Sequence, residues 1–193
     1  MTPTATALND TPRQPWRNGG GVTRELLAWP DKDDWRLRIS VADIEADGPF
    51  SSFPGVQRWF AVLQGGGVAL TIAGEEHVRR PGDAALQFSG AAAVSCRLLH
   101  GMSRDLNLML RGTTGMICRV VDGEAWTPAA RRCGLYAVAK GRCHAGSTAI
   151  DVPAETLLWF AEAPDALTFH LDTTARVPVA GWWLAADIAE AGA

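Results

Sequence analysis

WRLRISVA, residues 35–42, alternates without a break. Trp35, Leu37, Ile39 and Val41 fall on one side of an extended chain, and Arg36, Arg38, Ser40 and Ala42 on the other, which is the pattern of a half-buried β-strand. Short runs of the same kind follow at regular spacing: WFAVL (59–63), VALTI (68–72), ALQF (85–88), VSCRLL (94–99) and NLMLR (107–111). Turn signals separate them at Gly65–Gly67, at AGEE (73–76, with His77 beside it) and at RRPGD (79–83). Further along, MICRVV, GLYAVA, STAIDV, TLLWF and LTFHLDT repeat the rhythm, and VAGWWLAADIAEA (179–191) ends in a stretch that reads equally as strand or short helix. No long stretch sustains helical periodicity, so the expected class is all-β, a sandwich or a barrel.

Composition narrows the function classes. The chain has 193 residues, 47% hydrophobic and 20% charged, enough apolar material for a core and too little charge for disorder. The net charge of −3 and the lack of a basic run argue against direct nucleic-acid binding. No run approaches the ~18 apolar residues of a membrane span. MTPTATALND, residues 1–10, has neither a basic nor an apolar signal region, so a cytoplasmic setting is expected. Cys96, Cys118, Cys133 and Cys143 form no CxxC pair and read as reduced, buried thiols.

The segment before the first clear strand is PWRNGGGVTREL, residues 15–26. Three consecutive glycines cannot sit inside a stable helix and mark unusual backbone angles or close backbone approach. With WRLRISVADIEADGPFSSFPGVQR (35–58), QRWFAVLQGGGVALTIAG (57–74), RRPGDAALQFSG (79–90) and LLHGMSRDLNLMLRG (98–112), it forms an ordered set that resembles the HutD/Ves family over most of residues 12–115. That resemblance implies a cupin-type barrel (a double-stranded β-helix, or jelly roll) with two cupin-like halves in one chain. The expected halves are 12–115 and 116–186, with 1–11 flexible and 12–34 bridging to the second half. It also implies a non-catalytic role in histidine utilisation, sensing N-formylglutamate and restraining pathway expression. The Ves branch implies a stress-induced partner protein instead. Metal cupins carry a His-x-His pair; here Gln57 and Arg58 follow Pro54-Gly55, and His77, His100, His144 and His170 are scattered. No metal or other cofactor is expected.

The residues that could hold a ligand are polar ones at strand entrances and on strand faces. Arg38 and Ser40 either point into a barrel mouth or are solvated. Arg58 enters the apolar run WFAVL, where a buried charge must be paired or must meet an anion. Asn18, Gly19, Gly20, Gly21, Thr23 and Arg24 surround the glycine run, whose N–H groups can form an anion nest. Arg24 and Glu25 can equally pair with each other. Asp105 and Asn107 share one face of RDLNLML; Asp105 can hold an arginine or cap a turn. Phe50, Phe53 and Trp59 are candidate apolar walls. Together these residues suit a small anionic metabolite such as N-formylglutamate, with two carboxylates and a formamide.

Two other readings stay open. An enzyme acting on a small carboxylic acid would need a base, for which Glu25, Asp105 and His100 are the candidates; no GxSxG nucleophile elbow is present. A partner protein would expose an apolar patch, for example at Trp182 and Trp183. A homodimer is compatible with all three readings.

Overall fold

A computed structural model describes residues 2–172 and 177–188. The chain divides into two units, one of residues 11–112 and one combining 1–10 with 113–193. The last residues of VAGWWLAADIAEA lie outside the described part, and its centre, Gly181–Ala186, is a strand.

In the 11–112 unit, six strands pair in the spatial order Gln14–Pro15, Gly21–Trp29, Leu37–Ile44, Ser103–Arg111, Val56–Gly65, Leu86–Ser89. A second sheet orders Gly48–Pro49, Val94–Leu98, Val68–Ile72 and Glu75–Arg79. All the strand pairs are antiparallel, as hairpins and short connections favour. Ile44, Phe60, Val62 and Phe88 of the first sheet pack with Val68, Leu70, Ile72, Val94 and Cys96 of the second. The result is a sandwich of two sheets.

The other unit repeats this plan. Thr4–Ala7, Thr156–Phe160, Arg132–Ala137, Gly181–Ala186 and Gly115–Arg119 form one sheet, and Ala125–Trp126, Leu167–Leu171, Gly141–Ala145 and Thr148–Val152 another. Its core is closed by Cys133, Leu135, Cys143, Phe160, Phe169 and Trp183, with Trp126 stacked on Trp183 at 5.0 Å between ring centroids.

The expected barrel is not formed. Among the described residues all four sheets are open, and none curls round to pair its last strand with its first. The edges show why. Gln14–Pro15, Gly48–Pro49 and Ala125–Trp126 are only two residues long, and Pro15 and Pro49 lack the N–H that further pairing needs. All-β holds; closure does not.

Two local expectations also change. Residues 1–11 were expected to be flexible, yet Thr4–Ala7 forms a strand paired with Thr156–Trp159, and Leu8 is buried. The segment 12–34 pairs inside the 11–112 unit, and residues 1–10 belong to the other unit. The turn expected over 73–76 is shorter, because Glu75 and Glu76 lie with His77 in the strand Glu75–Arg79. The turn is only Ala73–Gly74, both with positive φ (50° and 94°), the two-residue hairpin geometry that glycine eases.

Trp182 and Trp183 are 0% and 2% exposed, so they complete the core and offer no docking patch.

Candidate functional site

The six-stranded sheet presents two different faces. Leu37, Ile39, Val41, Leu106, Leu108 and Leu110 are fully buried on one. On the other, register brings Ser40 opposite Asn107, Arg38 opposite Met109, Ala42 opposite Asp105, and Met109 opposite Arg58. This second face is apolar at one end, where Ile44, Phe60 and Val62 meet the smaller sheet, and polar at the other. The polar end opens into a cavity of about 460 Å³, within the range of small-ligand sites.

Asn18, Thr23, Arg38, Ser40, Arg58, Asp105 and Asn107 line this cavity together with Trp16, Phe50 and Phe53. The wall is braced: Trp16 Nε1 donates to Thr23 Oγ1 at 2.7 Å, and the Trp16 and Phe50 rings meet edge to face at 6.1 Å.

Arg58 is 7% exposed. Its guanidinium carbon sits 5.4 Å from the Phe50 ring centroid, 5.6 Å from Phe53 and 5.0 Å from Phe88. Such a cage holds the guanidinium by cation–π attraction without neutralising it. Nη2 donates to Asn107 Oδ1 at 3.1 Å, while Nε is buried without a partner. Burial lowers the Arg58 pKa to about 10, with Asp105 opposing and Arg38 reinforcing the shift, so the group stays charged at neutral pH.

Asn107 passes this interaction on. An arginine only donates, so Asn107 must turn its oxygen to Arg58 and its Nδ2 to Asp105 Oδ2, which accepts the hydrogen bond. Asp105 Oδ1 is buried and unpartnered. Burial pushes the Asp105 pKa up to about 8; Arg58 and the Asn107 hydrogen bond oppose this, and Asp43 adds to it. Arg38 is spoken for, because its Nε donates to Glu25 Oε2 at 2.6 Å in a largely buried pair.

Other candidates lie elsewhere. Arg24 donates to Asp43 Oδ2 at 3.1 Å, and Arg104 binds the same carboxylate at 2.6 Å. Period two explains this: Thr23 faces the cavity, so its neighbour Arg24 faces away. Trp59 does not line the cavity for the same reason, since Arg58 and Phe60 take the inner face. The glycine nest is spent internally: Gly19 N–H donates to Trp16 O, and Gly20 N–H to Asn18 Oδ1. Gly21 is required for close approach, because a Cβ there would collide with the Asp43 carbonyl oxygen and crowd the Trp16 ring.

Sequence reasoning missed Arg17 and Gln14, exposed residues that line the cavity, and Phe88, the third ring around Arg58. Phe88 stands directly opposite Arg58 in the strand pairing, a register no local pattern reveals.

Among the described residues no three His, Cys, Asp or Glu side chains gather where they could hold a metal ion, and no helix is long and apolar enough to cross a membrane.

The family model named HutD matches residues 8–178. An uncharacterized 21.2 kDa protein in the hutC 3′ region of Pseudomonas putida is 47% identical over 103 residues, 52% of this chain and 54% of that protein, so the chain matches only about half of this relative's length. Protein Ves of Citrobacter koseri is 35% identical over 133 residues, 68% of this chain and 70% of Ves. The solved structure of HutD from Pseudomonas fluorescens SBW25, in a formate condition, is 25% identical with a TM-score of 0.82, covering 96% of this chain and 98% of that one.

Proposed function

This chain belongs to the HutD family, and we propose that it binds a small carboxylic acid in the cavity of its 11–112 unit, with Arg58 taking the carboxylate. The observation that carries this reading is Arg58 itself: a buried, charged guanidinium caged by three phenylalanines, tied to one neutral amide, with Nε unpartnered. A charge so placed is costly unless an anion meets it, and the planar fork of arginine suits a carboxylate.

The finer proposal is N-formylglutamate, sensed within histidine utilisation without being turned over, so as to restrain expression of that pathway. One carboxylate would meet Arg58. Arg17, exposed where it lines the cavity, would serve the second, and Ser40 and Asn18 would read the formamide.

A thermal-shift series tests the reading, using formate, glutamate and N-formylglutamate against the uncharged dimethyl ester of N-formylglutamate. Acids should raise the melting temperature, because a ligand at a hundred times its Kd adds about 2.7 kcal/mol to stability. No shift with any acid, or equal shifts with N-formylglutamate and its ester, would overturn it.

A further inference from the structure

We infer that Asp105 carries a proton on Oδ1 and donates it, beside Arg58, in a hydrogen bond to the ligand's carboxylate, so that binding the acid is coupled to proton uptake. This rests on the carboxylate-binding reading above and specifies how the same cavity receives its anion.

The geometry assigns the proton's position. Asp105 is 2% exposed and lines the cavity. Its Oδ2 accepts from Asn107 Nδ2, an orientation dictated by Arg58 on the other side of the amide. Oδ2 is therefore an acceptor, and Oδ1, buried and unpartnered, is where a proton would sit. Among the described residues no cation forms an ion pair with Asp105, and a buried carboxylate without one protonates rather than stay charged.

The surrounding groups set the balance. From the strand Val56–Gly65, Arg58 favours the ionised form. From Leu37–Ile44, Asp43 opposes it, though Arg24 and Arg104 hold Asp43 in ion pairs. Arg38 is held by Glu25. From the smaller sheet, Cys96 has its thiol pushed up to about 12 by burial, with Asp105 and Asp47 adding to it, and so stays neutral. Arg17 lines the cavity and is exposed.

With Asp105 neutral, Arg58 faces an incoming carboxylate undiminished. With Asp105 ionised, the same carboxylate would meet a like charge. An anion beside Asp105 therefore raises its pKa further, and the bound state holds more protons than the free state above the free value of about 8.

Calorimetry with formate and N-formylglutamate, from pH 6 to 9, in buffers of different ionisation enthalpy, counts the protons taken up. Both probes remain carboxylates throughout this range. The intact protein should bind with no net uptake near pH 6. Above pH 8 it should take up a fraction of a proton, with affinity falling by up to about tenfold per pH unit. Asp105→Asn keeps a donor but cannot titrate, so its affinity should be flat across the same range, which also separates out any contribution from Arg58. Binding without proton uptake, or the same pH slope in D105N, overturns the inference and leaves carboxylate binding standing. No binding of either probe at any pH overturns the binding reading, and the inference falls with it.

Discussion

Arg58 Nη2 donates to Asn107 Oδ1 at 3.1 Å across neighbouring strands, and this one amide stands between the buried arginine and Asp105. Asn107 thus occupies the place where an internal counter-ion would sit. Asn107→Asp would put a carboxylate there. Since adjacent carboxylates do not both ionise, one of Asp105 and the new Asp would stay protonated while the other neutralised Arg58. The variant should fold with a melting temperature near the parent's and lose its response to added acids, as thermal-shift titration would show.

Glu25→Gln tests the charge count of the cavity. It leaves the lining residues in place and removes the charge that neutralises Arg38, now bound to Glu25 at 2.6 Å, while keeping an acceptor oxygen for it. Affinity for dicarboxylates should rise relative to monocarboxylates, because a second uncompensated guanidinium charge then lines the cavity. Stability should fall by about 1 kcal/mol, the difference between a charge-assisted hydrogen bond and one to a neutral amide oxygen. Calorimetry with glutarate and butyrate, together with urea melts, reads both effects.

Asp43 and Asp105 should give opposite pH dependences to stability. For Asp43, burial alone would raise the pKa, but Arg104 and Arg24 outweigh it and hold the group below its ordinary value of 3.8. Its contribution is therefore present above the unfolded pKa and is lost as pH falls below that value. For Asp105 the folded pKa is raised to about 8, so its contribution is complete below the unfolded value and is lost as pH rises toward 8. In denaturant melts, D43N should be destabilised by ~3–5 kcal/mol at pH 7 and by much less at pH 3. D105N should gain on the parent as pH rises from 4 to 8.

How much of this could be read from sequence follows one rule, alternation. It placed Arg38 with Ser40, and Asp105 with Asn107, on shared faces, because a strand's period needs no tertiary information. Applied through residues 21–26 and 56–60, the same rule would have sent Arg24 and Trp59 away from the cavity. Sheet closure and the Phe88–Arg58 pairing were out of reach, since both depend on which distant strand lies alongside. The glycine run marked a special backbone correctly, but its purpose is close packing against Asp43 and Trp16, and its N–H groups at Gly19 and Gly20 are already spent.

The four cysteines are free, and burial raises the pKa of each, to about 12 for Cys96, Cys133 and Cys143. Thiolates are the reactive form, so the folded protein should react slowly with Ellman's reagent. Cys118, only partly buried, should react first. Denaturation without reductant should release four equivalents promptly; two or fewer would show a disulfide.

The most direct test is calorimetric titration of N-formylglutamate into the parent protein and into Arg58→Lys. Lysine keeps the charge and loses the planar fork. A charge-assisted hydrogen bond contributes about 1.5–3 kcal/mol, so affinity should fall about 10- to 100-fold with the melting temperature nearly unchanged. Equal affinity in parent and R58K would remove Arg58 from the site and contradict the account.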